Sequence, residues 1–365
     1  MSIEEKWKKF EKHIKVPEVA GRWLNLIYTD DLVITKDFIY PDTNTKLRPG
    51  IGKKGVKMPG GPQYIVIHDT GMPAITDDAK GLNKYIHDQA NSPDGRVASW
   101  HFSIDDKDLF QHVPTDEIAW HAGDGSRKYG EKAYNFKTEK YDIGGGNHNG
   151  IGIETCINPT NDYELTLKRT AKLVAMLLYK YNLELDRIKQ HYDFSSKNCP
   201  NIIRSTKGLW ESFLEDCRIQ YILMPLGVRV KWEIDKPDII KPSGKVITPI
   251  HDTYVNIKAH VTIDNETRTY EYKTLVKGIS DEEKIIKSFY ELYLSVIPKR
   301  ANHDINLPSE LTTYKTKLKW KSSHPNIISD AGKYNKPEKP TWIKLTAIIE
   351  SGEIASEKEF TIKIF

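Results

Sequence analysis

Within nine positions of this 365-residue chain, His191, Lys197 and Cys199 bring together an imidazole, an ammonium and a thiol. They lie in the run Leu185-Asp186-Arg187-Ile188-Lys189-Gln190-His191, where a short apolar strand delivers the histidine, and in the polar loop that follows it. An imidazole and a thiolate on one loop can supply two ligands of a zinc site, with a cation held beside them. Catalytic zinc usually takes three protein ligands and leaves a fourth position for water, so a third ligand is expected elsewhere. His68, at the end of the β-branched run Tyr64-Ile65-Val66-Ile67, is the candidate. With twelve histidines in the chain the same pairing can arise by chance, and spacing alone leaves both readings open.

Two further segments add chemistry. Ile151-Gly152-Ile153-Glu154-Thr155 alternates as a strand should, with Ile151 and Ile153 on one face and Glu154 on the other. A carboxylate in mid-strand is costly to bury unless paired, so Glu154 is expected to face a polar cleft. Ala119-Trp120-His121-Ala122-Gly123 places an aromatic, an imidazole and two small residues in a turn. Five pieces now stand in order: the Ile-His-Asp-Thr strand end at His68, Trp100-His101-Phe102, the Trp-His-Ala-Gly turn, the Ile-Gly-Ile-Glu strand, and the His-x5-Lys-x-Cys-Pro loop. The set resembles the zinc-dependent N-acetylmuramoyl-L-alanine amidases, the family that includes phage lysis amidases and animal peptidoglycan recognition proteins. The resemblance covers roughly residues 60 to 222.

Carried over residue by residue, the resemblance implies that His68, His191 and Cys199 bind one zinc ion per chain, that Glu154 is the catalytic acid/base, and that Lys197 is the cation at the reacting carbonyl. It implies substrate contacts for His121, Trp120 and Trp100. Some members carry a catalytic tyrosine where this chain has Trp100, which shifts the proton work onto Glu154. Members that only bind peptidoglycan have typically lost the cysteine ligand, and here Cys199 is present. The implied reaction is hydrolysis of the amide between N-acetylmuramic acid and L-alanine, with a non-catalytic peptidoglycan-binding protein as the alternative. Zinc polarises a carbonyl and brings the pKa of water towards neutrality. Glu154 would carry the proton, and a donor such as Lys197 at a developing oxyanion can be worth ~3–4 kcal/mol. Each residue has a plainer reading: a solvated loop lysine for Lys197, a strand carboxylate paired with a basic neighbour for Glu154, a packed histidine bonded to backbone for His121. His101 and His112 are expected to be structural.

Composition is compatible with this and excludes other classes. A formal net charge of +4 is small for the length and is no nucleic-acid signature. No apolar stretch approaches the ~20 residues of a membrane span. Met1 to Lys15 reads as a charged amphipathic helix without the apolar core of a signal peptide. Action at an extracellular cell wall would then need phage-induced lysis or a signal peptide trimmed from this chain. Three cysteines form no disulfide framework, and Cys156 and Cys217 are expected to be buried small hydrophobes.

These residues need elements to hold them. Helices are expected over Thr76 to Gln89, Asn161 to Tyr181 and Gly208 to Ile219, the second opened by Asn161 with Glu164 as a capping box. Strands between them make an α/β layer, a mixed β-sheet flanked by helices. Residues 125 to 149 form a polar loop bordering the Glu154 strand, and residues 16 to 60, with Pro17, Pro41, Pro49 and Pro59, an extended arm. After Pro225 a repeat appears. Trp232, Pro237, Ile239-Ile240 and Gly244-Lys245 recur as Trp320, Pro325, Ile327-Ile328 and Gly332-Lys333, each pair separated by the same 88 positions. The repeat marks two copies of one β unit, resembling bacterial Ig-like modules, with a helix over Ser280 to Leu294 between them. The expected organisation is residues 1–59 as an N-terminal helix and arm packing on the amidase domain, 60–222 as that domain, and 226–278 and 279–365 as all-β Ig-like modules, the second with the helix. The modules are expected to contact the cell wall or another chain.

Overall fold

A computed structural model describes the chain except residues 14–15, 21, 41–46, 49, 52–53, 59, 124–133, 136–139, 142–144 and 196. Pro41, Pro49, Pro59 and most of the 125–149 loop therefore lie outside the described residues. The chain forms two compact units, Met1–Lys245 with Asn256–Tyr272, and Val246–Val255 with Lys273–Phe365.

The first unit is organised by a six-stranded mixed sheet. Its strands are β1 (Thr35–Lys36), β2 (Tyr64–Asp69), β3 (Phe102–Ile104), β4 (Leu109–Gln111), β5 (Gly150–Thr155) and β6 (Ile188–Gln190), in the order β6-β2-β5-β3-β4-β1. β2 pairs in parallel with both β5 and β6, and only β3–β4 is antiparallel. Alternation along the central strands sorts side chains onto two faces. Ile65, Ile67, Ile151, Ile153 and Phe102 go to one side and are covered by α3 (Tyr163–Tyr181) and α5 (Leu209–Leu223) through Leu167, Val174, Leu178 and Phe213. His68 and Glu154 are left on the other. There α2 (Ala79–Asn91) packs Ala79 and Leu82 on Cys156, and Ile86 and Ala90 beside Trp100. Cys156 and Cys217 are buried free thiols, as expected.

Helix ends were the least legible features. α3 is capped by Asp162, whose carboxylate accepts from Leu165 N (3.3 Å), not by Asn161. The Asn161 amide is committed to Thr166 and to the Asp106 N–H, and Glu164 pairs with Arg22 (2.9 Å) instead of closing a capping box. α2 starts at Asp78, which accepts from Gly81 N at 2.8 Å.

The β repeat is a structural repeat as well. β7 (Arg229–Ile234), β8 (Thr253–Ile263) and β9 (Glu266–Val276) form a sheet in that order, with β7, residues 256–263 of β8 and residues 266–272 of β9 in the first unit, and Trp232 stands opposite Ala259. In the second unit, a five-stranded sheet places Trp320 of Thr316–Ser322 opposite Ala347 of Thr341–Ser351. Each tryptophan donates its indole N–H to a backbone carbonyl at 2.8 Å, Trp232 to Ile27 and Trp320 to Pro308. Leu24 N donates to Gly244 O, and Ile305 N to Gly332 O. Both glycines have φ near +85° (+89° and +83°), a conformation that favours glycine. The helix α1 (Ile3–His13) buries Trp7 and Phe10 with Ala259, Val261 and Tyr272, as α6 (Asp281–Glu291) packs Ile285 and Phe289 with Ala347, Ile349 and Phe360. The Ser2 and Ser280 hydroxyls accept at the two helix starts. The first copy is thus assembled from segments that precede and follow the α/β layer in sequence: α1, Leu24 and Ile27 before it and residues 229–272 after it. Within residues 1–59, α1 shares one core both with the repeat and with Ile219 and Leu223 of α5.

Candidate active site

The ladder between β2 and β5 sets Glu154 directly opposite His68. Ile67 pairs with Gln190, so β6 ends beside β2 and hands over His191 at the same sheet edge; the His68 and His191 ring centres are 4.7 Å apart. The loop then doubles back. Tyr192 N donates to Cys199 O (3.0 Å) and Cys199 N to Lys197 O (2.8 Å), which returns the thiol to the sheet. Asp69 ties this down. Its buried carboxylate accepts from Tyr163 OH (2.7 Å), Thr155 Oγ1 (3.0 Å) and Ile202 N (2.6 Å), linking β2, β5, α3 and the helical turn α4 (Asn201–Ser205) after Cys199-Pro200.

The result is one cluster. One ligand atom each from His68, His191 and Cys199 lie within 4.8 Å of one another, all three residues buried. Cys199 Sγ is 3.7 Å and Glu154 Oε1 3.8 Å from His68 Nδ1. Among the described residues, neither ring nitrogen of His191 has a partner at hydrogen-bond distance, and Glu154 Oε2 is likewise buried and unpartnered. Buried polar atoms left this way are rare and call for an explanation. Two imidazoles and a thiol facing one point form a donor set that fits zinc.

Electrostatics support neutral imidazoles. Burial, then the neighbouring histidines and Lys197, hold His68 well below its usual range. Burial, then Lys197, bring His191 down to about 4. Burial pushes Glu154 up to about 8, with Lys197 and Arg96 pulling it back, so the 3.8 Å contact with His68 is not an ion pair. Burial and the Glu154 charge raise the Cys199 thiol to about 12.

The cleft in front of the cluster is lined by Trp100, Trp120, His121, Glu154 and Lys197, all singled out in the sequence, and also by Tyr85 and Arg96. Lys197 and Arg96 are exposed at its rim. Trp100 is a wall: its indole N–H donates to Ser103 (2.7 Å) and its ring packs with Ile86 and Val113. Trp120 is half-buried, with its ring edge-on to His148. His121 is buried behind His68, its Nδ1 3.0 Å from His68 Nε2. His101 and His112 are structural, as expected: His101 bridges Gly152 N and Glu117 O, and His112 meets Ser103. Sequence reasoning missed Arg96, because an arginine in the polar loop Asn91-Ser92-Pro93-Asp94-Gly95-Arg96 reads as solvated. A roomier cavity beside Tyr28, Lys168 and Trp232 gathers no metal-ligand group among the described residues.

Residues 58–202 match the family model of N-acetylmuramoyl-L-alanine amidase, and residues 298–365 that of the atrophied bacterial Ig domain. The chain is 35% identical over 183 residues to the N-acetylmuramoyl-L-alanine amidase CwlH of Bacillus subtilis, covering 50% of this chain and 60% of that one. It is 32% identical over 180 residues to the amidase XlyA of the same organism, covering 49% of each. It spans about half to three-fifths of the length of these relatives. The solved catalytic domain of XlyA aligns with a TM-score of 0.40 at 31% identity, over 51% of this chain and 99% of that domain.

Proposed function

We propose that this chain, whose residues 58–202 form a domain of the N-acetylmuramoyl-L-alanine amidase family, is a zinc-dependent peptidoglycan hydrolase. It cleaves the amide between N-acetylmuramic acid and the L-alanine of the stem peptide, acting at the cell wall as an autolysin or endolysin. The observation that carries the reading is the convergence of His68, His191 and Cys199 on one point with Glu154 beside them. His68, His191 and Cys199 would hold one zinc ion, which supplies Lewis acidity towards the scissile carbonyl and acidifies water.

The chain's own residues do the rest. Glu154 takes the proton of the attacking water and returns it to the departing alanine nitrogen; a carboxyl raised by burial is suited to both directions near neutral pH. Lys197, exposed at the rim, opposes charge on the carbonyl oxygen. Trp100 and Trp120 wall the cleft and exclude water beside the scissile bond. A purely binding role has no need of Cys199 and Glu154 at one point. The Ig-like copies hold the enzyme at the wall or against another chain, raising local substrate concentration.

Products released from purified cell walls test this. New N-terminal alanine should appear and should stop appearing after chelation. Release of reducing sugar ends alone, or alanine release indifferent to chelator, would overturn the assignment.

A further inference from the structure

We propose that His121 is a positioning residue: through a chain of hydrogen bonds from the Gly150 carbonyl it selects Nδ1 of His68 as the ligating nitrogen. The inference rests on the metal-site reading above but is argued from proton bookkeeping within the chain.

His121 Nε2 lies 3.0 Å from Gly150 O. A carbonyl only accepts, so Nε2 carries the His121 proton. A neutral imidazole has one N–H, which leaves His121 Nδ1 as an acceptor. That nitrogen lies 3.0 Å from His68 Nε2, so His68 must donate from Nε2 and keep Nδ1 bare. Nδ1 is the atom facing Cys199 Sγ and Glu154 Oε1. With both rings neutral, only this arrangement satisfies both contacts.

The surroundings fit the role. The His121 backbone N–H is held by Asn147 Oδ1 at 2.7 Å, and the ring is edge-on to His68 with centroids 5.0 Å apart. A side chain at Gly152 would meet the His121 ring at 2.7 Å, so a glycine in β5 makes room for it. β5 therefore presents both Glu154 and the carbonyl that starts the relay. Outer partners of this kind fix ring orientation and tautomer, and their loss typically lowers metal affinity 10–100-fold.

The full chain is tested in two ways. Long-range ¹⁵N–¹H spectra of the metal-free wild type should show both His68 and His121 protonated on Nε2; a His68 proton on Nδ1 overturns the proposal. Zinc affinity, read by competition with a chromogenic chelator, should fall 10–100-fold in His121→Leu. His121→Asn, whose side-chain oxygen can replace the Nδ1 acceptor, should stay within about threefold of wild type. Equal affinity in His121→Leu, or equal losses in both variants while both remain folded by circular dichroism, overturns it. If His121→Leu does not fold, the spectra and His121→Asn still decide. A wild type that binds no zinc sinks the metal-site reading, whereas the tautomer result judges this one separately.

Discussion

Glu154 and His68 are register partners on adjacent parallel strands, with Glu154 Oε1 3.8 Å from His68 Nδ1. The proposed proton carrier and a proposed metal ligand are therefore placed by one backbone ladder and not by loops. A slip of one residue in β5 would turn Glu154 to the face occupied by Ile65 and Ile67 and bring an isoleucine to the cleft.

Removing the thiol should remove the metal. Cys199→Ala should lose most bound zinc, because a methyl group cannot replace a thiolate ligand. Stoichiometric zinc and full activity in the purified variant would dismiss the His68–His191–Cys199 set.

Glu154→Gln keeps the shape of the side chain and removes its basicity. Turnover should drop by about 10²–10⁴, while zinc content and muropeptide binding stay nearly unchanged. A normal kcat would remove Glu154 from the chemistry.

Lys197 should be visible in the pH profile. Burial raises the Glu154 carboxyl and the Lys197 charge lowers it again. A base works ionised, so activity falls as pH drops through its pKa. Lys197→Ala removes the lowering influence, so the acid limb of kcat/KM should move to higher pH while kcat falls. An unmoved limb would mean that Lys197 does not act on Glu154.

The split β repeat predicts how truncation fails. A chain cut after Tyr221 loses β7–β9 and uncovers Trp7 and Phe10, both fully buried in the intact unit. Full burial of such side chains is worth ~1.5–3 kcal/mol each. The truncated chain should melt lower than the intact one and bind a hydrophobic dye, and removing residues 1–30 as well should relieve the dye binding. A cut chain that melts like the intact protein would show that α1 does not depend on the β sheet.

Much of this protein was legible in its residues because periodicity states which way a side chain points. Alternation in Ile151–Thr155 separated Glu154 from the isoleucines, and the α3 stripe marked its buried face. The constant offset of the β repeat carried through to the pairing of Trp232 with Ala259 and Trp320 with Ala347. His68, His191, Cys199, Glu154 and Lys197 were nameable because each stands in a short motif of distinct chemical type.

What the sequence alone could not decide was where a group's partners lie in space. The residue pattern pointed to Asn161 as the cap, and only its hydrogen bonds to Thr166 and Asp106 leave the cap to Asp162. The turn around His121 does not name the ring's partners, which the folded chain supplies at Gly150 O and His68 Nε2 through hydrogen bonds across 29 and 53 positions. Likewise, nothing local says that Ile27 accepts the Trp232 indole proton 205 positions away. Side-chain direction is a local property of the backbone and is written in the sequence pattern. Proton placement, burial and completion of a split module are properties of distant contacts, and only the tertiary fold supplies those.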